Sequence, residues 1–177
     1  KAKLNDDIYV TGNLGDSFIG LKILKNKIKL RKRANNYFIN KYYHPDIQIS
    51  LTKKLLKFAN TSIDISDGLV ADLDKMLNNL NCSYQIYEDK IPISKYLSEL
   101  IKKNKLKKSK LISNGDDYQI LFTASTSKSR IIQRTSRILD IKITKIGKII
   151  SGKKKSSILD QKGKQILLKN KGYIHQF

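Results

Sequence analysis

At 177 residues, with 40% hydrophobic and 29% charged positions, the chain has the length and composition of one globular domain that can bury a core. Its 36 Lys+Arg and 15 Asp+Glu residues give a formal net charge of +21, which favours polyanionic partners such as nucleic acid or phosphate-rich ligands. The absence of an apolar run of about eighteen residues excludes a membrane-spanning helix, and the single cysteine, Cys82, excludes an intrachain disulfide.

The kind of charge and the first residues refine this picture. The basic excess is mostly lysine and accompanies abundant Ile and Asn, as compositional drift would produce, so charge alone is weak evidence for nucleic acid. Residues 1–7 contain neither an apolar signal-peptide region nor an initiator methionine. These first residues lead us to expect that the chain is a piece of a longer protein. A lone cysteine fits a reducing compartment, so we expect that protein to be cytoplasmic.

In chain order, the hydrophobic pattern alternates between strands and helices. The first unit is a strand over residues 7–11, a turn containing Gly12 and Gly15, and a helical segment. The later elements are, in order, a helix capped by Ser50, a strand that begins at residue 61, a helix over 69–80, a strand over 83–87, a helix opened by Pro92 and Ser94, a solvated lysine-rich surface at 102–110, a strand over 119–123, a helix over 127–139 and short strands over 144–150, 156–160 and 165–168. This alternation predicts an α/β (α+β) domain, in which a mixed sheet is packed by helices.

Residues 61–72 carry the densest polar chemistry of the chain. Asp64 and Ser66 alternate with apolar residues, which a strand would place on its opposite face. From Leu69 the apolar period becomes helical, so Asp67 is expected to be the N-cap of a helix whose free backbone N–H groups attract anions. Two carboxylates beside such a site indicate Mg²⁺, which binds one or two carboxylates together with phosphate oxygens. The alternative, a capping Asp67 and a solvated Asp64, stays open on this stretch alone.

Two other segments bear on phosphate chemistry. Residues 113–118 form a polar glycine corner with two adjacent acids, Asp116 and Asp117, which is either a second candidate site or a solvated turn. Residues 147–153 match most of a P-loop, but Lys154 stands where Ser or Thr would bind Mg²⁺. Because no helical pattern follows that segment, we reject a P-loop.

Four motifs, in the same order, resemble those of the thiamine-monophosphate kinase family. They are Tyr9–Asp16, Ile63–Leu69, Asn114–Phe122 and the terminal Gly172–His175. Together they span nearly the whole chain, and they match only the C-terminal half of the family, which belongs to the superfamily of aminoimidazole-ribonucleotide synthetase and selenophosphate synthetase. The resemblance implies that residues 1–177 are a single C-terminal kinase domain with that superfamily's fold, and that the N-terminal domain for ATP binding and dimerisation is absent.

The resemblance also implies an activity, the ATP-dependent phosphorylation of thiamine monophosphate to thiamine diphosphate with Mg²⁺ as cofactor. Carried onto matching positions, Asp64 and Asp67 would be metal ligands and Ser66 would contact ATP. Asp116 and Tyr173 stand where the family contacts its substrate, with the aromatic ring against the thiamine cation. No residue is assigned as a covalent nucleophile or general base, because phosphoryl transfer depends on positioning and charge neutralisation. Full-length members are homodimers, and we expect this half alone to be inactive.

The chain departs from the family pattern at three places. Asn114, Asp116 and Gln119 replace a glycine and two glutamates, and the shorter Asp116 side chain has less reach toward a substrate. Pro45–Gln48 stands in place of Pro-x-Pro-Arg, and the final His-Phe pair is spread over His175–Phe177.

Two rival functions stay open on the sequence. Another ATP-using enzyme of the same superfamily would share Asp64–Gly68, although Gly115–Tyr118 and Gly172–His175 favour the thiamine kinase. A non-enzymatic, basic nucleic-acid-binding remnant of an enzyme would account for the net charge of +21. Against this second rival, no RNA- or DNA-binding signature interleaves aromatic residues with the basic runs.

Overall fold

The computed structural model describes residues 1–103, 106–168, 170 and 172. Its strands are β1 (Asp7–Thr11), β2 (Thr61–Asp64), β3 (Cys82–Tyr87), β4 (Ile120–Ala124), β5 (Ile143–Ser151) and β6 (Ser157–Leu159). Within the described residues they form one six-stranded sheet in the order β2–β4–β1–β5–β3–β6. Neighbouring strands are antiparallel except β3 and β6, which are parallel, so the sheet is mixed as predicted.

The described part of the chain contains seven α-helices. They are α1 (Asp16–Leu24), α2 (Lys32–Tyr43), α3 (Ile49–Leu55), α4 (Leu69–Met76), α5 (Lys95–Lys102), α6 (Lys108–Leu111) and α7 (Ser129–Leu139). Two 3₁₀-helices, Glu88–Lys90 and Thr126–Lys128, lie in connections. None of the helices that the structure describes is long and apolar enough to cross a membrane.

Successive residues of β1 enter different hydrophobic cores, because side chains alternate between the two faces of a strand. Ile8 and Val10 belong to a buried cluster with α4 on one face of the sheet. Tyr9 faces the other side, where its ring stacks on Phe122 and packs with α3 and α7. A third cluster joins α1, α2, α5 and α6 around the buried Phe38. Helices thus pack against a mixed sheet, and the predicted fold class is confirmed.

The antiparallel register brings three loops to one end of the sheet. Asp64 at the end of β2 pairs with Ile120 at the start of β4. Thr11 at the end of β1 pairs with Ile143 at the start of β5. The loops that follow β1 and β2 and the loop that precedes β4 therefore lie at the same end, where the polar motifs are found.

The start of α3 differs from the sequence prediction. The helix begins at Ile49 with Gln48 at its N-cap position, so Ser50 lies inside the helix and the predicted cap is wrong. The side-chain amide of Gln48 donates to the carbonyl of Asp46 (3.0 Å) and to Oε1 of Gln119 (3.4 Å). These contacts hold the N-cap of α3 at Gln48, two residues before the predicted cap Ser50.

Two other segments also differ from their predictions. The lysine-rich segment, predicted as a solvated surface, contains the short helix α6, because Leu111 is buried in the third cluster. Residues 165–168 form no strand, and Gln165 makes only an isolated bridge to Leu159. By contrast, Gly147 pairs within β5, so the rejection of a P-loop is confirmed.

Candidate functional site

Three loops at one end of the sheet form the candidate site, and we name them the β1–α1 corner (residues 12–15), the β2–α4 corner (residues 65–68) and the acidic loop (residues 113–119). The acidic loop pairs with the β2–α4 corner beyond the ends of the strands. The N–H of Asp116 donates to the Ser66 carbonyl (3.0 Å), and the N–H of Tyr118 donates to the Ile65 carbonyl (2.9 Å). The two acidic segments that the sequence left separate therefore form one site.

A glycine makes this close pairing possible. A Cβ at Gly115 would collide with the carbonyl oxygen of Ser66, so a larger residue would force the acidic loop away from the β2–α4 corner. Gly68 adopts a φ of +124°, a backbone conformation that residues with a side chain rarely adopt. Both glycines of the predicted motifs are thus required by the backbone.

The backbone N–H groups of the β2–α4 corner bind a carboxylate of the chain itself. Oδ2 of Asp72 accepts hydrogen bonds from the N–H groups of Ser66 (2.9 Å), Asp67 (2.9 Å) and Gly68 (3.1 Å). Asp72 is fully buried in the first turn of α4. The expected free N–H groups are therefore not available to an external anion, because the helix supplies its own.

The same contact changes the expected role of Asp67. Gly68 occupies the N-cap position of α4, so the prediction that Asp67 caps this helix is wrong. The Asp67 carboxylate forms an ion pair with Lys75, whose ammonium also donates to Oδ1 of Asp72 at 2.8 Å. The hydrogen bond to Asp67, followed by that to Asp72, raises the pKa of Lys75. Asp67 is left for ionic contacts because Asp72 already binds the N–H groups at the helix start.

Asp116 lies within electrostatic range of Asp67. Its backbone has a φ of 67° in the left-handed region, at the point where the acidic loop turns against the β2–α4 corner. Burial raises the pKa of the Asp116 carboxyl, the nearby Asp67 carboxylate raises it further, and Lys25 opposes the rise. Two carboxylates that repel each other across a loop pair create a place where a cation is stabilising.

The two remaining predicted residues of the β2 end lie beside this pair. Asp64 is exposed as the last residue of β2, and Ser66 is half-buried within the β2–α4 corner. The structure thus brings four of the five predicted site residues to one end of the sheet: Asp64, Ser66, Asp67 and Asp116.

The fifth predicted residue, Tyr173, lies outside the described residues. The neighbouring Gly172 is described, and it packs on α4. A Cβ at Gly172 would collide with the Cβ of Ala71 and lie 2.9 Å from the carbonyl oxygen of Asp67. The fourth motif therefore reaches the β2–α4 corner at its first residue.

The chemistry of the acidic side chains fits Mg²⁺ as a partial ligand set. Asp64, Asp67 and Asp116 provide the hard carboxylate oxygens that this ion prefers. Within residues 1–103, 106–168, 170 and 172, no group of three or more His, Cys, Asp or Glu residues is arranged to hold a metal ion by itself. Mg²⁺ commonly binds one or two carboxylates and completes its shell with phosphate oxygens and water, so the residues present suffice for part of a site.

Asp117 has a role that the sequence analysis missed. It is buried, and its carboxylate accepts hydrogen bonds from the N–H groups of Gly15 (2.7 Å) and Ser17 (3.4 Å) at the start of α1. Burial raises the pKa of Asp117 to about 7, and the nearby Asp16 contributes in the same direction. One signal was present in the sequence: Gly15 stands where Ser, Thr, Asp or Asn would normally cap a helix, so another acceptor is needed.

Gln119 connects the acidic loop to β1 and to the segment before α3. Its Oε1 accepts from Oγ1 of Thr11 (2.8 Å), and its Nε2 donates to the carbonyl of Asp46 (3.2 Å). A glutamate at this position would have no N–H for the second bond and would bury a negative charge next to Asp117. The departure from the family pattern at Gln119 therefore suits its surroundings.

Sequence and structure comparisons relate the chain to thiamine-monophosphate kinases. The curated thiamine-monophosphate kinase of Buchnera aphidicola subsp. Schizaphis graminum is 38% identical over 175 residues, which are 98% of this chain and 54% of the relative. The crystal structure of thiamine-monophosphate kinase from Stenotrophomonas maltophilia K279a matches 94% of this chain and 52% of its own, with 27% identity and a TM-score of 0.79. The structure of AaThiL complexed with AMPPCP and TMP matches 98% and 52%, with 28% identity and a TM-score of 0.76.

These matches cover nearly all of this chain but only part of each relative. The chain spans about half the length of the curated relatives it matches. No protein-family model matches the chain. The two structural matches cover nearly all of it, so its mixed sheet and helices have the fold of those kinases, as the resemblance implies.

Proposed function

Because the chain belongs to the thiamine-monophosphate kinase family, we propose that it supplies half of a site that phosphorylates thiamine monophosphate with ATP. In this reaction the bond from the γ-phosphorus of ATP to its bridging oxygen breaks. A bond from that phosphorus to a phosphate oxygen of thiamine monophosphate forms, which yields ADP and thiamine diphosphate. The observation that carries the proposal is the direct pairing of the β2–α4 corner with the acidic loop, through Ser66 and Asp116.

We assign each residue of this half a role in binding. Asp64 and Asp67 would hold Mg²⁺, which when bound neutralises the charge of the phosphates. Ser66, between them, would contact ATP. Asp116 would face the substrate from the acidic loop, and Tyr173 would place an aromatic ring against the thiamine cation. None of these residues is required as a nucleophile, because the acceptor phosphate of the substrate is itself the attacking group.

The electrostatics of the site support the metal assignment. Asp67 raises the energy of the charged form of Asp116, and a dication between or beside them would lower it. The Asp67 side chain is only 14% exposed, so its charge is less screened than that of a surface carboxylate. A site with this much negative charge fits phosphate groups only when a cation accompanies them.

Exposed apolar side chains beside the acidic loop form a surface that another part of the kinase polypeptide would cover, and that part would complete the site. Ile47 and Ile49 are exposed on either side of Gln48, whose amide contacts Gln119, and Tyr118 is exposed in the acidic loop. We assign the covering partner to the N-terminal half of the family's polypeptide, which would bring further acidic and ATP-binding residues. Homodimerisation through that half and a cytoplasmic location stay predictions.

Reconstitution tests the proposal. We would measure binding of Mg²⁺-ATP and thiamine monophosphate by calorimetry, and formation of thiamine diphosphate, for the chain alone and for the chain mixed with the other half of the Buchnera relative. We expect no turnover from the chain alone and Mg²⁺-dependent turnover from the mixture. Asp67→Asn should lower that turnover by about a hundredfold or more, since it removes a charge that acts on the transferring phosphate.

Asp89→Asn serves as the matched control, because Asp89 is an exposed acid in a 3₁₀-helix outside the site. Its turnover should equal that of the unmodified mixture. Turnover by the chain alone would show that the second half is dispensable. A mixture that binds neither ATP nor thiamine monophosphate would contradict the proposed function, and nucleic-acid binding with a steep salt dependence would then favour the basic remnant.

A further inference from the structure

Lys75 places a cation on one of the carboxylates assigned above to Mg²⁺. Its ammonium donates to Oδ2 of Asp67 and, at 2.8 Å, to Oδ1 of Asp72. Asp72 is held rigidly, because its other oxygen accepts the three N–H groups of the β2–α4 corner. Lys75 follows Asp72 by three residues on α4, so the two side chains lie on the same helix surface. The position of the ammonium against Asp67 is therefore set by the helix.

The Lys75 ammonium can leave both carboxylates for water. The Lys75 side chain is 49% exposed, so its ammonium can move into water and stay hydrated. Because solvent competes for the half-exposed ammonium, we take this ion pair to contribute about 1 kcal/mol. Asp72 keeps its three backbone donors when Lys75 moves, and the β2–α4 corner keeps its shape. Loss of the ammonium would thus remove this contact of Asp67 without unfolding the corner.

An ammonium and a metal ion compete for the same carboxylate. Both carry positive charge, so an ammonium on Oδ2 of Asp67 repels a Mg²⁺ ion that approaches the same carboxylate and weakens its binding. When Lys75 leaves, Asp67 and Asp72 lack this counter-ion, Asp116 adds negative charge near Asp67, and a dication compensates these charges better than a monovalent ion. The geometry therefore favours exchange of one cation for the other.

We propose that Lys75 is a resident counter-ion of Asp67 that sets the affinity of the site for Mg²⁺ by competing with it. This inference rests on the proposed function, which assigns Asp67 to the metal. It adds a regulation of that site by a residue of α4 that contacts neither ATP nor thiamine monophosphate in the roles given above. In the metal-free chain the ammonium neutralises the Asp67 charge, and release of the lysine strengthens metal binding.

Direct metal binding, without nucleotide and without turnover, tests this inference. Mn²⁺ would be titrated into the ¹⁵N-labelled chain, and paramagnetic broadening of the amide signals of Gly68 and Gly115 would report binding at the site. We expect Lys75→Gln to lower the Mn²⁺ concentration for half-broadening by about fivefold, the equivalent of one exposed ion pair. Lys75→Arg keeps the charge and should stay within about twofold of the unmodified chain.

Lys153→Gln is the control for the loss of one positive charge from a strongly basic chain. Lys153 is exposed in the turn after β5, at the end of the sheet opposite the site. Its half-broadening concentration should not change. A second measurement needs no variant: addition of Mg²⁺ should shift the ε-methylene signals of Lys75 toward the values of a solvated lysine.

The outcomes separate this inference from the proposed function. Binding that is lost in Asp67→Asn but unchanged or weakened in Lys75→Gln would overturn the role of Lys75 and leave the metal assignment intact. Lys75 signals that stay constant while Mg²⁺ binds would overturn it as well. Absence of broadening at Gly68 and Gly115 in every protein would overturn the metal assignment and this inference together.

Discussion

The β2–α4 corner and the β1–α1 corner are both strand-to-helix turns whose backbone N–H groups bind an aspartate, but the aspartates come from different distances along the chain. At the β2–α4 corner it is Asp72, four residues beyond Gly68 in the first turn of the same helix. At the β1–α1 corner it is Asp117, which is 102 residues from Gly15 and lies in the acidic loop. The N–H groups of the β2–α4 corner thus have an acceptor close in the chain, whereas those of the β1–α1 corner have one that only tertiary contact provides.

This difference decides how each corner depends on the rest of the domain. The β2–α4 corner contains its own anion, so its shape is set within residues that fold together with α4. The β1–α1 corner needs the acidic loop in place before its N–H groups have an acceptor. The acidic loop reaches both corners, since Asp116 bonds to Ser66 and the adjacent Asp117 bonds to Gly15. Displacement of that loop should therefore open the β1–α1 corner first.

Removal of the local anion is expected to have the largest effect. Asp72→Ala would leave the N–H groups of Ser66, Asp67 and Gly68 without their buried acceptor. We expect the free energy of unfolding to fall by about 3–5 kcal/mol, as measured by urea denaturation. Asp89→Asn, on the exposed surface, should change it by about 0.5 kcal/mol or less. A loss below about 1 kcal/mol for Asp72→Ala would mean that water replaces the carboxylate.

The distant anion should make the β1–α1 corner sensitive to pH. Burial raises the pKa of Asp117 to about 7, above the value of about 3.9 for an unfolded aspartate, so the folded chain binds this proton more tightly. The stability from this group is therefore fully present below about pH 4 and is lost as the pH rises to about 7.

Asp117→Asn isolates that effect, because its amide oxygen can still accept the Gly15 N–H while carrying no charge. Relative to the unmodified chain, we expect the variant to become more stable by an amount on the order of 3 kcal/mol between pH 4 and pH 8. Urea denaturation at both pH values measures the change. A difference between the two proteins that is independent of pH would show that Asp117 does not titrate in this window.

A glycine substitution should have the smallest effect of the three. Gly15 has a φ of +89°, and a Cβ there would lie 2.9 Å from the Cβ of Leu111, so Gly15→Ala adds both backbone strain and crowding. We expect a loss of about 2 kcal/mol in the free energy of unfolding. Gly163 has a φ of +77° and open space around it, so Gly163→Ala should cost about 1 kcal/mol from strain alone. Equal losses for both variants would show that Leu111 moves aside.

The sequence predicted where the β2–α4 corner lies better than it predicted how the corner works. Asp64 was placed correctly at the end of a strand, because the strand period is visible in neighbouring residues, whereas Ser66 lies two residues beyond that strand in the corner. The N-cap role of Asp67 was wrong even though its competitor, Asp72, is equally local. A capping rule considers the residue before a helix, and here a residue inside the first turn reaches back to the same donors.

By itself, the sequence determined the alternation of strands and helices, the order of the four motifs and the kinase family, because each depends on residues close together in the chain. Only the tertiary structure decided that the acidic loop joins both corners. Asp117 meets Gly15 across 102 residues and Gln119 meets Thr11 across 108 residues, and those partners are chosen by strand order and register. Local periodicity carries no information about which strands become neighbours, so buried acceptors from distant segments appear only once the sheet is assembled.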